Sequence, residues 1–343
     1  MRTSFLNLSL TLTLFLNAGL WAQDAKIKTM KKPMKETQTQ KMMTEKKVKL
    51  QGTGVSYVAN HGFMISNGPQ KVMIDTLFTT NGDTYACPSD ELLKGMITES
   101  GPFEGANMLL TTHGHGDHFN AKLTAKYLNN NPKALWICPQ EVAQEVQQHE
   151  NDPALLKRII GLDLKPGSRI HKTIAGVDLE VISIPHHLND NMQHLAYLVN
   201  MNDVKVLHLG DAAKKPEEMY QKLALAESDI DVLIAPCGSD CSNWMVNANG
   251  DGPAVICNQI KPKHLVMGHL PNDLDKAQIK KSIIAMRTSM PDIQISLLNQ
   301  QPLNQTVFFK KEGQLVAKHI GAKKLAQKPE TMKDLKVAQS KKK

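Results

Sequence analysis

The run His113-Gly114-His115-Gly116-Asp117-His118 decides how this chain is read. It sets three imidazoles and one carboxylate within six consecutive residues. Both side-chain types are ligands for zinc, manganese or iron. A lone histidine is usually a core or surface residue, but four ligand-type side chains in one run point to a metal centre. The two glycines are expected to let the backbone fold tightly enough to aim successive side chains at one place. Upstream, Asn107–Thr112 is a compact apolar run that predicts a buried strand, and downstream Ala121–Leu128 predicts a helix. The cluster therefore falls on a strand-to-helix loop, where α/β proteins carry chemistry on side chains projecting from a rigid sheet edge.

Outward from the cluster, Val55–Ala59, the turn Asn60-His61-Gly62 and Phe63–Ser66 predict an opening hairpin. Asn67-Gly68-Pro69 predicts a turn into a strand over Lys71–Asp75. Further strands are predicted at Ala134–Cys138, Val177–Ile184, Leu195–Val199, Val204–Leu209, Ile230–Ala235, His264–Met267 and Ile293–Leu298. Helices are predicted at Gln140–Gln148, Pro216–Leu225, Pro253–Gln259 and Asp275–Arg287. Strands in succession, broken by helices in two halves, fit an α/β protein in which two sheets pack together and helices flank them.

The ends of the chain differ from its middle. Residues 1–22 have the pattern of a signal peptide: Arg2, an apolar run from Phe5 to Leu16, then small and polar residues through Ala18, Ala22 and Gln23. That run is about 12 residues, short of the ~18–20 that a membrane span needs, so cleavage near Ala22 and export are expected. Residues 26–49 hold nine Lys and two Glu, and residues 318–343 hold nine Lys, one Glu and one Asp, so each end carries +7. The leader is neutral and the whole chain is +8, which leaves −6 on residues 50–317. Residues 23–49 and 318–343 are poor in aromatic and branched side chains and read as a flexible linker and tail. An acidic folded part disfavours nucleic acid as a partner, and the Lys-rich ends retain at most a weak attraction to acidic surfaces.

Residues 50–317 suffice for one large α/β domain. Cys87, Cys138, Cys237, Cys241 and Cys257 make an odd number, so at least one is unpaired; Cys237 and Cys241 are the nearest pair. Nothing in the sequence speaks to oligomeric state.

The run resembles the HxHxDH signature of the metallo-β-lactamase superfamily, and the other motifs of that family follow in order over roughly residues 53–298. Asp75 in Val-Met-Ile-Asp is similar to the acidic residue that ends an early strand. Asp211 in Leu-His-Leu-Gly-Asp resembles the bridging carboxylate, and His269 in Val-Met-Gly-His the last ligand. The resemblance implies a four-layer αββα sandwich. It also implies two divalent ions, with zinc expected and manganese or iron compatible. His113, His115 and His186 would hold the first, Asp117, His118 and His269 the second, and Asp211 would bridge them. His187 is the alternative to His186, which follows Pro185 directly as in relatives with Leu-Pro-His at this place, and His194 is a more distant one. Two ions about 3.5–4 Å apart lower the pKa of a shared water toward neutrality and so create a hydroxide nucleophile. Asp117 would be the catalytic residue that orients it, and Asp75 would fix imidazole orientation from behind.

Val58–Ile65, Ile74–Phe78 and Leu207–Asp211 resemble the lactonase-like branch, which includes relatives similar to ascorbate-6-phosphate lactonase and to the phospholipase D acting on N-acyl phosphatidylethanolamine. That implies an ester, lactone or phosphodiester in a small-molecule or lipid-like substrate, hydrolysed in the periplasm or outside the cell. His61 is a candidate pocket residue because this hairpin borders the site in that branch; the competing reading is an ordinary turn histidine. Trp244, on the loop after Ile230–Ala235 with Cys237, Asp240 and Cys241, is a second candidate, against a plain turn-rich loop. Tyr85, Pro88, Ser89 and Glu91 also resemble a stretch of that branch, with no role that the residues themselves give. The competing functional classes are a catalytically idle metal- or ligand-binding envelope protein and, less favoured, a β-lactamase.

Overall fold

Apolar side chains alternate along the strands between two destinations, and that alternation builds the layers. In the computed structural model, which describes residues 52–79, 84–186, 191–212, 217–237, 251–272, 276–298 and 301–321, the first sheet begins with β1 (Thr53–Ala59), β2 (Gly62–Ser66), β3 (Lys71–Ile74), β4 (Met108–Leu110), β5 (Leu135–Pro139) and β6 (Ile159–Leu162). Val55, Phe63, Ile65, Val72, Ile74 and Leu110 point to the core between the sheets. Their neighbours Val58, Met64, Met73, Leu109 and Trp136 point outward. They meet helices α1 (Asp90–Ile97), α2 (Ala121–Asn130) and α3 (Gln140–Gln147), and the short α4 (Pro153–Leu156) follows.

The second sheet comprises β7 (Arg169–Ile174), β8 (Val177–Ser183), β9 (Leu195–Met201), β10 (Val204–His208), β11 (Val232–Pro236), β12 (His264–Gly268) and β13 (Gln294–Leu297). Val206, Val232, Ile234 and Val266 face the first sheet. Leu207, Leu233, Leu265 and Met267 face the other way, under α5 (Glu217–Leu223), α6 (Asp251–Ile260) and α7 (Lys276–Ser289). The chain closes with the hairpin β14 (Gln305–Lys311) and β15 (Gln314–Ile320), and β14 pairs back onto β1. The sheets run β15-β14-β1-β2-β3-β4-β5-β6 and β13-β12-β11-β10-β9-β8-β7. This is the αββα sandwich.

β3 to β6 are parallel, as are β10 to β13. Their carboxyl ends deliver Asp75, the 113–118 run, Asp211 and His269 to one edge of the sandwich. Tyr197 on β9 ties the sheets beneath that edge: its hydroxyl donates to the carbonyls of Thr111 at 2.6 Å and Ile137 at 3.3 Å.

The structure corrects the sequence reading in several places. α1, β6, β7 and the β14–β15 hairpin were not predicted. β15 runs to Ile320, past residue 317, where lysine content placed the end of the domain. Pairing with β14 sets Lys318 and His319 opposite Val307 and Thr306; these are backbone hydrogen bonds, indifferent to the charge of the side chains. Cys87, Cys138 and Cys257 are free thiols. Cys241 lies outside the described residues, as do the leader, the linker and the tail from residue 322. No described helix is long and apolar enough to cross a membrane.

Replacing Tyr197 by Phe removes a buried inter-sheet donor and strands a carbonyl next to the histidine run. The expected cost is about 1–3 kcal/mol of unfolding free energy by urea titration, with the m-value unchanged.

Candidate metal centre

Several turns at this edge pass through left-handed backbone: Asp75 (φ 51°) after β3, Gly210 (φ 56°) after β10, His269 (φ 53°) after β12, and Asn60 (φ 44°) between β1 and β2. A side-chain-bearing residue holds that conformation only where its surroundings fix it, and such residues gather at functional sites. Gly210 is required sterically as well, since a Cβ there would lie 2.5 Å from His194 Nε2 and 2.8 Å from Thr112 Cβ. The expectation for Gly114 and Gly116 is corrected. Neither adopts positive φ, and a Cβ at Gly114 would meet Val142 only at 3.5 Å. The tight packing falls on glycines outside the run.

The side chains converge in overlapping groups. His113, His115 and His186 form one, Asp117, His118 and His269 another, and His61, His118 and Asp211 a third that shares His118 with the second, with the donor atoms of each group within 4.8 Å of one another. His113 Nε2 is 3.1 Å from His115 Nδ1. His269 Nε2 is 3.2 Å from Asp117 Oδ2, and His118 Nε2 is 3.6 Å from the same oxygen. Asp211 Oδ2 lies between the groups, 3.2 Å from His118 Nε2, 3.1 Å from His269 Nε2 and 4.0 Å from His186 Nε2. An ion bound tetrahedrally through bonds of ~2.0–2.1 Å needs donors about 3.3 Å apart. The spacing of these atoms matches that edge, so the residues present fit divalent ions.

Behind the donors, Asp75 fixes which nitrogen faces inward. Its Oδ1 accepts from Thr112 N at 2.8 Å, and its Oδ2 accepts from Thr112 Oγ1 at 2.6 Å and from His118 Nδ1 at 2.9 Å. With its proton given to Asp75, Thr112 Oγ1 accepts from His113 Nδ1 at 2.9 Å. Both imidazoles thus carry a proton on Nδ1 and turn Nε2 toward the centre, where it would be bare once an ion is bound. Asn60 Nδ2 donates to Asp117 Oδ2 at 3.0 Å and to its carbonyl at 3.2 Å.

The electrostatics express the same arrangement. Burial works against the imidazolium of His118, but Asp211 and Asp75 outweigh it and push its pKa up to about 10. Burial also opposes the charge on Asp117, yet the hydrogen bond from His269 and the charge of His118 bring it down to about 2. Asp211 is likewise held well below the usual carboxylate range, against burial, by His118 and His269. Burial keeps His113 neutral, well below the ordinary imidazole value. Two buried carboxylates here depend on nearby positive charge.

His61 lies beside the Asp211 carboxylate. It is wholly buried, with Nδ1 3.3 Å from Asp211 Oδ1. Tyr85 packs its ring 4.2 Å from that of His269, and Ser89 caps α1 by accepting from Leu92 N. His194, buried and brought down to about 3 chiefly by that burial, gives Nδ1–H to the carbonyl of Ile184 at 2.8 Å. His187 and Trp244 lie outside the described residues. Sequence reasoning missed Thr112 and Asn60. A hydroxyl directly before the histidine run, and an amide on the turn already singled out for His61, were the available signals.

Histidine and carboxylate groups at the strand exits of an αββα sandwich define a metallohydrolase site. The chain belongs to the beta-lactamase superfamily domain family, whose model matches residues 71–274. A UPF0173 metal-dependent hydrolase of Pyrococcus furiosus is 23% identical over 241 residues, 67% of this chain and 91% of the relative. Among solved structures, the metallo hydrolase Igni18 of Ignicoccus hospitalis matches at a TM-score of 0.55 and 16% identity, over 76% of this chain and 99% of its own. The metallo-β-lactamase fold protein YhfI of Bacillus subtilis matches at 0.52 and 13%, over 74% and 98%. At those identities the structural likeness concerns the fold. The protein is a metal-dependent hydrolase of the metallo-β-lactamase superfamily.

Asp75→Asn keeps a residue that tolerates left-handed backbone but loses an acceptor for His118 Nδ1–H or Thr112. Metal affinity measured by chelator competition should fall about 10- to 100-fold.

Proposed function

We propose that this chain is an exported two-ion hydrolase acting on an ester, lactone or phosphodiester. The observation that carries the reading is the position of Asp211 Oδ2, within 4.0 Å of imidazole nitrogens from both donor groups. One carboxylate oxygen reaching both groups fits a shared ligand better than it fits two independent sites. His113, His115 and His186 would hold one ion, Asp117, His118 and His269 the other, with Asp211 common to both. When bound, the pair supplies activation of a shared water at neutral pH and polarisation of the substrate oxygen.

The protein's own groups do the rest. Asp117, ionised at any working pH, is held by Asn60 with one oxygen toward the centre; there it accepts a hydrogen bond from the attacking water and orients it. Asp75 and Thr112 keep the Nδ1 protons of His118 and His113 in place through turnover. Tyr85, whose ring lies 4.2 Å from that of His269 at a 55° tilt, restricts that imidazole and walls the site on its side. Among the described residues no lysine or arginine pairs with Asp117 or Asp211, which leaves charge neutralisation to histidine and the ions. Zinc is the ion expected from the family resemblance, and the imidazole and carboxylate donors suit iron and manganese as well.

Export is supported by the leader pattern of residues 1–22, and N-terminal sequencing of protein recovered from the producing cells' envelope or medium should begin close to Gln23. Elemental analysis of the purified full chain should find about two divalent ions, as expected for a two-metal site, and fewer in Asp211→Ala. In a screen of chromogenic carboxylic esters, lactones and phosphodiesters, Asp117→Ala should lose about 100-fold or more in kcat on whichever substrate the wild type turns over. Full activity in that variant would remove Asp117 from the mechanism.

A further inference from the structure

Asp211 does not treat its two oxygens alike. Oδ2 faces His118, His186 and His269, at 3.2, 4.0 and 3.1 Å. Oδ1 faces His61 Nδ1 at 3.3 Å. A carboxylate free to rotate about its Cβ–Cγ bond has other ways to meet two ions: one oxygen to each, or both oxygens to one. Only the single-oxygen mode keeps both ions close to one atom.

His61 is itself fixed from several directions. Its carbonyl accepts from His208 Nε2 at 2.9 Å, and His208 Nδ1 accepts from Gly210 N at 3.1 Å. One histidine thereby ties the β1–β2 turn to the residue just before Asp211. The rings of His61 and His208 lie 4.5 Å apart. On another side stands Gly268, the residue just before His269, where a Cβ would come within 2.4 Å of His61 Cδ2. Its backbone is not left-handed, so this proximity is the reason for the glycine.

We propose that His61 is the positioning residue of the shared carboxylate: it donates to Asp211 Oδ1, leaves Oδ2 alone to face both donor groups, and depends on Gly268 for the space its ring occupies. This rests on the two-ion reading of the site. His61 stands with His118 and Asp211 in a set of donor atoms within 4.8 Å of one another, and the role proposed for it is to act through Asp211 rather than to ligate an ion or touch substrate. For a pair as buried as His61 and Asp211, a ring N–H on one oxygen restricts the carboxylate torsion, and partners of this kind set ligand geometry and affinity.

The test is metal affinity, read by chelator competition with Co(II) on the full chain as wild type, His61→Ala, His61→Asn, Gly268→Ala and the His61→Ala/Gly268→Ala double variant. His61→Ala should weaken one of two binding steps by about 10- to 100-fold. His61→Asn, whose amide Nδ2 stands where ring Nδ1 stood, should recover most of that loss. Gly268→Ala should weaken binding as His61→Ala does, and the double variant should be no worse than His61→Ala alone. In the Co(II) protein, His61→Asn should keep every strongly shifted exchangeable imidazole resonance of the wild type, because His61 is not a ligand. Wild-type affinity in His61→Ala, additive losses in the double variant, or one shifted resonance missing from His61→Asn would each overturn the proposal. If His61→Ala does not fold, the proposal stands only when His61→Asn binds close to wild type and Gly268→Ala does not. A wild type that takes up a single ion would instead defeat the two-ion reading, whatever the variants do.

Discussion

A carboxylate removed from solvent survives as an anion only with compensating charge and hydrogen bonds, and Asp211 imposes that condition on both halves of the sandwich. Its neighbours come from the β1–β2 turn, the loop after β4, the end of β8 and the exit of β12. No one of these segments is adjacent in sequence to the others. What brings them together is that the parallel strands of both sheets end at the same edge, where Tyr197 fastens one sheet to the other just below the histidine run.

The sandwich was largely legible because burial on both sides of each sheet leaves a strong trace. β4, β11 and β12 are short apolar runs bounded by polar residues, and the histidine run marks the loop after the first of these. The missed elements lacked such a trace. β6 is only Ile159–Leu162 and half-buried throughout. β15 has no fully buried residue, and its lysine and histidine are exposed. Such strands exist because a neighbouring strand offers a ladder of hydrogen bonds, and periodicity within a segment cannot report the presence of a neighbour.

The same distinction separates the legible part of the site from the rest. Ligand-type residues crowded into 113–118 announce themselves by density. Asp75, Asp211 and His269 are isolated in sequence and were reached through resemblance. Thr112, Asn60 and the true place of His61 depend on which atom faces which, and that is decided by the left-handed turns at Asn60, Asp75 and His269. His61 shows the limit well. Its position on the turn was read correctly, but whether the ring faced a pocket or the underside of Asp211 depended on Gly268 leaving it room.

Asp231 offers the internal comparison that gives the histidine site its meaning. It is as buried as Asp211 but stands at the start of β11, at the opposite end of the same parallel strands. There Lys263 Nζ at 2.8 Å and Lys310 Nζ at 3.1 Å supply its charge, with Lys205 N donating to it at 3.0 Å. One of those lysines comes from β14 in the other sheet, so this carboxylate also joins the two halves, and it does so with permanent cations. Among the described residues the ionic partners at the Asp211 end are imidazoles, His61, His118, His186 and His269, and His118, His186 and His269 would be neutral ligands once their inward nitrogens are deprotonated. Lysine supplies the compensating charge at Asp231. Imidazoles can balance a buried carboxylate as imidazolium, as His118 does with its pKa pushed up to about 10, and they can also give up the inward proton to a divalent ion, which a lysine cannot do at neutral pH.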